Sequence, residues 1–297
     1  MISEETYRLP AEWEPQSGVQ LTWPHAATDW APMLGEVLGV YRRLAQEIMR
    51  REKLLVVAPE GCLPGVAHVT CPTNDTWARD HGFICLTGGT SHSPGSGGEA
   101  LLLDFRFNGW GEKFASDLDD AINRRLYDAG AVRGRYVSHL DFVLEGGSIE
   151  SDGRGTIFTT SSCLLAPHRN EPLTKGQIEE RLKAWLCADR VLWIDHGMLA
   201  GDDTDGHIDT LVRTAPADTL LYVKCSAPAD EHYAGLQAME EQLHTLRTAD
   251  GRPYRLMPLP LPHPIYSTDF ADTGQEACRL PATYANFLIV NGAVLCP

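Results

Sequence analysis

A unit of secondary structure that recurs along the chain constrains its fold more than any other feature. Four segments carry apolar residues at the three- and four-residue spacing of amphipathic helices: 33–51, 113–129, 174–188 and 230–248. A short strand pattern follows each of them within a few residues, for example at 54–58, 135–143 and 191–194. Thr174 is predicted to cap the start of the third helix. The unit repeats with a period of roughly 55–80 residues, which suits a radial array.

Paired strand patterns with turn residues between them separate the helices. The pairs are 82–86 with 101–107, 148–149 with 156–159, 208–213 with 219–224, and 286–290 with 293–296. A Gly/Ser-rich segment, 88–98, joins the first pair, and Asn291-Gly292 in the last pair is a strong signal for a type I′ turn. Three repeats therefore contain a hairpin, a helix and a strand. The first repeat has one hairpin strand, 19–23, and the last stops after its hairpin. From the recurring unit we predict an α/β fold built from such repeats.

Charged motifs fall at one place in the repeat, where the hairpin strands begin. WARDHG opens the second repeat, LEGGS the third and DGHIDT the fourth. In a ring of repeats, equivalent strand starts converge on the central axis. We therefore expect a shared axial pocket lined by Trp77, Asp80, Glu145, His207 and Asp209.

Carboxylates and a histidine around one cavity repel each other unless a cation lies between them. A guanidinium suits such a pocket because its planar fork of N–H donors pairs with carboxylates and its face stacks on an indole. Each residue also has a structural interpretation, for example a core position for Trp77 or a local ion pair between Arg79 and Asp80. Their recurrence at one position in three repeats favours the functional interpretation.

A metal ion is the other cation to consider, because GDDTDGHID holds four aspartates and a histidine. As an EF-hand loop this segment fails: Gly206 at the sixth position would place Gly201 first and Val212 twelfth. The sequence also has no H-E-x-x-H motif. We predict neither a metal nor any other cofactor, while a metal-dependent hydrolase stays an alternative of a different class.

Charge and composition limit the classes of partner. The formal net charge of −15 and the lack of a Lys/Arg cluster argue against nucleic acid, and a negative field attracts a small cation. No apolar stretch reaches the ~18–20 residues of a membrane span, and MISEETYRLP lacks the regions of a signal peptide. We expect a cytoplasmic protein with eight reduced cysteines and a single catalytic domain over residues 1–297.

Taken together, the motifs resemble those of the agmatine deiminases, in the guanidino-modifying superfamily that includes bacterial peptidyl-arginine deiminases. The matching segments are NDTWARD (74–80), EGG (145–147), GHIDT (206–210), NGAV (291–294) and the early Trp23-Pro24. The resemblance runs from about residue 8 to the end of the chain. It implies a five-fold pseudosymmetric ββαβ propeller, the pentein fold, with the last repeat incomplete in this sequence. It also implies a homo-oligomer and a reaction without a cofactor.

The same resemblance implies roles for individual residues. His207 corresponds to the general acid/base, Asp80 and Asp209 to the aspartates that hold the guanidinium, and Glu145 to the glutamate that pairs with the histidine and the substrate. Trp77 and Trp23 are expected to bind substrate. A cysteine thiolate attacks the guanidinium carbon, ammonia leaves, and water hydrolyses the thiouronium intermediate, so that agmatine yields N-carbamoylputrescine, a precursor of putrescine.

The nucleophile is where this sequence departs from the family. Family members carry it in a late G-G-G-x-I-H-C segment, which does not occur in these 297 residues. Cys296 is the last cysteine, but it lies in the final hairpin, and we do not assign it this role. We expect the working protein to continue beyond residue 297. Free or peptidyl arginine as substrate, and a non-catalytic guanidinium-binding protein, stay open as alternatives.

Overall fold

The computed structural model describes residues 7–88, 99–267 and 278–297. Most of the predicted Gly/Ser-rich loop, residues 89–98, lies outside this part of the chain. The described strands are β1 Tyr7–Arg8, β2 Gly18–Thr22, β3 Lys53–Ala58, β4 Ala67–Thr70, β5 Ile84–Gly88, β6 Leu101–Arg106, β7 Arg135–Val143, β8 Ile149–Ser151, β9 Thr156–Thr160, β10 Arg190–Ile194, β11 Val212–Ala215, β12 Thr219–Lys224, β13 Arg255–Pro260, β14 Leu288–Val290 and β15 Ala293–Leu295.

The α-helical segments range from single turns to four turns. They are α1 Leu34–Met49, α2 Ala78–His81, α3 Gly109–Glu112, α4 Asp117–Asp120, α5 Ile122–Asp128, α6 Ser161–Leu164, α7 Lys175–Trp185 and α8 Tyr233–Thr245. Single 3₁₀ turns occur at Ala31–Met33, Gly146–Ser148 and Ile208–Thr210. Among these described helices, none combines the length and the apolar composition needed to cross a membrane.

Three sheets share one strand order, and this confirms the predicted repeat. In β5-β6-β7, β8-β9-β10 and β11-β12-β13, the first two strands are antiparallel and the third runs parallel to the second. Helical segments connect the second strand of each sheet to the third, as a parallel connection requires. β1 adds to the edge of the first of these sheets by pairing with β5. The fold is therefore a mixed α/β fold.

The early strand predicted at 19–23 is β2, and it pairs in parallel with β3. A further parallel strand, β4, pairs with the other side of β3. β4 was not predicted because its sequence, AHVT, is short and has no clear alternation of apolar and polar residues.

Predicted helices at 33–51, 174–188 and 230–248 are confirmed as α1, α7 and α8. Thr174 caps α7 as expected, in a capping box with Gln177. The helix predicted over 113–129 is wrong in extent, because two short helices, α4 and α5, stand in its place. The Asp119 carboxylate accepts backbone N–H bonds from Asn74 and Asp75, and the Asn74 side chain accepts from the N–H of Asp119. Such side-chain bonds to another segment compete with a continuous helix.

The last hairpin, β14-β15, forms where Asn291-Gly292 predicted it, but the turn is not type I′. Type I′ needs positive φ at both central residues, and only Gly292 of this pair has it, at 76°. The Asn291 side chain instead accepts from the backbone N–H of Gln16 at 2.9 Å and donates to the Gln16 carbonyl at 2.8 Å. These bonds to a distant segment set the conformation of the turn.

The chain separates into two compact units, each described here by itself. The first unit comprises Met1–Gly146, His168–Asn170 and Ile289–Leu295; the second comprises Gly147–Pro167, Glu171–Leu288 and Cys296–Pro297. In the first, Ile122 and Leu126 of α5 pack against Val57 of β3. In the second, Leu236 and Met239 of α8 join a core cluster with the buried residues of β12. A single domain over residues 1–297 stays a prediction.

Candidate functional site

Asp80 lies in the first unit, on the one-turn helix α2. Its side chain is buried, with the residue only 7% exposed, and its Oδ2 accepts a hydrogen bond from Trp110 Nε1 at 3.0 Å. The neighbouring Arg79 makes a two-pronged ion pair with the Glu12 carboxylate, at 3.1 and 3.2 Å. The guanidinium of Arg79 therefore pairs with Glu12.

Trp77, immediately before α2, presents its ring to solvent. The residue is 45% exposed, and its Nε1 donates to Asp75 Oδ2 at 3.2 Å. The ring lies in a row of three indoles, 5.9 Å from Trp30 and 6.2 Å from Trp110 between centroids. An exposed aromatic face beside buried and half-buried carboxylates can stack on a planar cation.

Trp23, the other tryptophan predicted to bind substrate, packs as a core residue. It is 4% exposed, and its ring meets the edge of Tyr41 at 5.6 Å. Its backbone N–H donates to the Val57 carbonyl. A role in substrate binding stays a prediction for Trp23, and its packing favours the structural interpretation.

Glu145 is completely buried and forms an ion pair with Arg169, whose Nε lies 2.8 Å from Glu145 Oε1. Two further hydrogen bonds join the segments that carry Glu145 and Arg169. The Asn170 side chain accepts from the Val143 N–H at 2.9 Å and donates to the Val143 carbonyl at 2.8 Å. Arg169 escaped the sequence analysis, because nothing local marks the HRN tripeptide as the partner of EGG.

Gly146 brings the EGG motif against the WARD motif within the first unit. A Cβ atom at this position would lie 2.1 Å from the carbonyl oxygen of Arg79. Real atoms do not approach so closely, so residue 146 must be glycine for the backbones to meet. Trp77, Asp80 and Glu145 are thus carried by segments that the first unit brings together.

Gly146→Ala is expected to lower the free energy of unfolding by about 1–3 kcal/mol, the usual cost of overpacking, because backbone atoms must shift. Guanidinium affinity is expected to fall with it. Gly176→Ala is the matched control: Gly176 lies in α7 with no atom within 4 Å of its Cβ position, so alanine there should stabilise by up to about 1 kcal/mol. Urea unfolding measures both. Equal midpoints for the two variants would contradict the close approach.

His81, next to Asp80, is buried and kept neutral. Its Nε2 lies 3.1 Å from Thr22 Oγ1, and Asn123 donates to its backbone carbonyl at 2.8 Å. Burial lowers the pKa of His81 to about 4, and the nearby charge of Asp80 offsets only part of this effect.

This depressed pKa predicts a pH dependence of stability. The unfolded chain binds the proton of His81 below about pH 6.5 and the folded chain only below about 4, so protonation favours unfolding in that window. The free energy of unfolding should therefore fall by up to about 3 kcal/mol as pH drops from 6.5 to 4. Asp119 acts in the opposite sense, because burial raises its pKa to about 6.

Comparison of two variants isolates the His81 contribution. His81→Gln should lose this part of the pH dependence, and His244→Gln, at an exposed position on α8, should keep it. Urea midpoints between pH 7.5 and 4.5 provide the measurement. Identical slopes for His81→Gln and the unmodified protein would show that His81 is not the titrating group.

His207 and Asp209 lie in the second unit, both buried, around the 3₁₀ turn Ile208–Thr210. The preceding loop is held by Asp202, whose two oxygens accept from the N–H groups of Thr204 at 2.9 Å and Gly206 at 2.7 Å. Thr204 Oγ1 in turn accepts from the His207 N–H at 3.0 Å. Asp202 therefore holds backbone in this loop, which weakens the interpretation of GDDTDGHID as a cation site.

The helix α6 packs against this loop and was not singled out from the sequence. Gly206 has a φ of 87°, and a Cβ there would lie 2.7 Å from Ser162 Oγ. Thr160 Oγ1 donates to the Gly206 carbonyl at 2.6 Å. Cys163, a buried residue of α6, has its Sγ within 4.8 Å of a ring nitrogen of His207. The segment 160–163 thus supports His207 from one side.

Comparisons with known proteins were made on the sequence and on the fold. A sequence model of the Porphyromonas-type peptidyl-arginine deiminases matches residues 8–297. An agmatine deiminase of Medicago truncatula is 33% identical, over 98% of this chain and 83% of its own length. A Porphyromonas gingivalis structure, provisionally named an arginine deiminase, is 48% identical with a TM-score of 0.87, over 98% and 85% of the two chains. A C. jejuni agmatine deiminase determined with substrate bound is 36% identical with a TM-score of 0.86, over 100% and 84%.

The family match spans nearly the whole chain, and the solved relatives share its fold over more than four-fifths of their own length. The matched range, residues 8–297, contains the segments that carry WARD, EGG and GHID. The chain belongs to the Porphyromonas-type peptidyl-arginine deiminase family.

Proposed function

We propose that this protein is an agmatine deiminase, which converts agmatine and water into N-carbamoylputrescine and ammonia. The observation that carries the proposal is the buried Asp80 carboxylate, held by the Trp110 indole, beside the exposed ring of Trp77. A carboxylate for the edge and an indole for the face are what a planar guanidinium requires. Agmatine deiminases among the relatives support the choice of substrate.

In the proposed reaction, Asp80 and Asp209 bind the guanidinium nitrogens, while Glu145 holds its charge and orientation. A thiolate adds to the guanidinium carbon, the C–N bond breaks, and His207 supplies the proton with which ammonia leaves. His207 then takes a proton from water, which attacks the thiouronium carbon, releases the thiolate and leaves the ureido group of the product. These roles follow from the resemblance of the motifs.

We assign the thiolate to neither of the two cysteines that invite it. Cys163 lies near His207, but its surroundings, SSCL, do not match the G-G-G-x-I-H-C segment that carries the nucleophile in the family. Cys296 belongs to the segment after β15 and was set aside on its sequence position. Cys163→Ala is therefore expected to retain guanidinium binding and turnover within about threefold of the unmodified enzyme, whereas loss of turnover with intact binding would make Cys163 the nucleophile.

A free or peptide-linked arginine is the second candidate substrate, favoured by the family's description and by the Porphyromonas gingivalis relative. The surroundings of Trp77 favour agmatine over free arginine. Asp75 accepts from the Trp77 indole, and a second acidic residue, Asp29, is close enough for its negative charge to act on Asp75. Burial and this charge raise the pKa of the Asp75 carboxyl. An acidic surface attracts the far ammonium of agmatine and repels the carboxylate of arginine.

The test is kcat/KM for ammonia release from agmatine, free arginine and an arginine-containing peptide. We expect agmatine to exceed free arginine by at least about 100-fold, since a misplaced charge costs several kcal/mol. A larger kcat/KM for either arginine substrate would transfer the proposal to the second candidate.

Other features that the sequence implies stay proposals. We propose that the repeated three-stranded sheets are blades of a five-fold propeller, supported by their common strand order. We also place the reaction in putrescine biosynthesis, which the product's chemistry suits. A cytoplasmic location and a homo-oligomer stay predictions from the sequence.

A further inference from the structure

We propose that Trp110 is a positioning residue of the guanidinium site, which fixes the Asp80 carboxylate and the Trp77 ring relative to each other. This inference rests on the proposed function, since it concerns the residues assigned to the guanidinium. Trp110 lies in the segment NGWGE (108–112), to which the sequence analysis gave no role.

The first contact of Trp110 is with the carboxylate. Its Nε1 donates to Asp80 Oδ2 at 3.0 Å, and both side chains are buried. A hydrogen bond from a fixed donor orients the plane of the carboxylate. A guanidinium that meets Asp80 would then find an acceptor of defined direction.

The second contact is with the exposed indole. The ring of Trp110 meets that of Trp77 at 82°, with centroids 6.2 Å apart, which is an edge-to-face contact. Trp110 therefore contacts both the Asp80 carboxylate and the Trp77 ring. Its two contacts connect the Asp80 carboxylate, proposed to bind the edge of the guanidinium, with the Trp77 ring, proposed to stack on its face.

The backbone at Trp110 is unusual, and its surroundings enforce it. Trp110 has a φ of 57°, between Gly109 at 66° and Gly111 at 83°. A bulky side chain is strained in this left-handed region. Residue 109 must be glycine, because a Cβ there would lie 2.2 Å from the Phe114 carbonyl oxygen.

Side chains around the turn hold Trp110 in this conformation. Asn108 Oδ1 accepts from the Gly111 N–H at 3.0 Å, and its Nδ2 donates to the His168 carbonyl at 2.6 Å. The edges and faces of Phe107 and Phe114 pack on the Trp110 ring at 5.1 and 5.5 Å.

The competing explanation is that Asp80 only satisfies the buried N–H of a core tryptophan. The two explanations differ in what the hydrogen bond affects. If Trp110 positions Asp80, removal of the N–H weakens guanidinium binding. If Asp80 merely satisfies Trp110, removal of the N–H changes the stability of the fold and leaves binding as it was.

The experiment replaces Trp110 by benzothienylalanine, which keeps the bicyclic outline and has sulfur in place of the N–H. Agmatine affinity is measured by ligand-observed NMR at millimolar agmatine in three proteins: the unmodified protein, the benzothienyl analogue and Trp110→Phe. Thermal unfolding of each monitors the fold. We expect the Kd for agmatine to rise roughly 10- to 100-fold in the analogue, the value of a hydrogen bond to a charged group. Trp110→Phe, which also alters the contact with Trp77, should lose at least as much.

A double-variant measurement separates positioning from a general effect. In an Asp80→Asn background the benzothienyl replacement should change the Kd by less than about threefold, because the group it acts through has already lost its charge. Unchanged affinity in the analogue, or an equal loss in both backgrounds, would overturn the inference while the proposed function stands. If the unmodified protein binds no agmatine, both the proposed function and this inference fail.

Discussion

In a full-length enzyme that carries the nucleophile, replacement of His207 by alanine is expected to lower kcat for agmatine by about two to four orders of magnitude, the usual contribution of a positioned acid/base. The amino nitrogen of the intermediate is a poor leaving group unless it is protonated and leaves as ammonia. The attacking water must lose a proton in the next step. His207 is buried. Its backbone N–H donates to the Thr204 hydroxyl, which holds this part of the loop. Agmatine affinity should change far less, because binding relies on the carboxylates.

His244→Ala is the matched control, since His244 is an exposed residue of α8 in the same unit. Its kcat should equal that of the unmodified enzyme. Single-turnover rates with saturating agmatine separate the chemical step from binding. If His207→Ala retains its kcat, His207 has no part in the mechanism and serves only the fold of its loop.

Loss of either binding carboxylate should weaken agmatine affinity by more than about 100-fold. Asp80→Asn and Asp209→Asn each remove one charge from a buried pairing with the guanidinium, and a broken buried pair costs about 3–5 kcal/mol. Asparagine at position 80 keeps an oxygen that can accept from Trp110, so the change isolates the charge.

Asp128→Asn is the control for net charge, because Asp128 is an exposed residue at the end of α5, paired with Arg124. Calorimetric titration with agmatine should give it an unaltered Kd. Binding within threefold of the unmodified protein for Asp80→Asn or Asp209→Asn would remove that carboxylate from the guanidinium site.

The repeat could be read from the sequence because each hairpin, helix and strand carries its own local pattern. The hairpin of β8 and β9 and the capping box of Thr174 are examples in which neighbouring residues suffice. The helix predicted over 113–129 failed because Asp119 and Asn74 bond across 45 residues of chain. Local periodicity contains no information about such a contact.

Residues of the candidate site could be proposed from the sequence only where they recur in motifs. Asp80, Glu145 and His207 stand at equivalent positions of successive repeats, and they could be singled out together. Arg169 and Trp110 act through single partners that are distant in the chain, Glu145 and Asp80, and no spacing rule connects them. In hindsight the two glycines around Trp110 were a signal, because a flanking pair of glycines permits a left-handed turn.

The fate of the guanidino carbon tests the central claim most directly. Agmatine labelled with ¹³C at that carbon is incubated with the purified enzyme and followed by NMR, with ammonium assayed in parallel. The account predicts that all label converted appears in the ureido group of N-carbamoylputrescine, with one ammonium for each product molecule. Label in free urea, with putrescine as the other product, would contradict it, because water would then have cleaved the opposite C–N bond, as in a metal-dependent hydrolase.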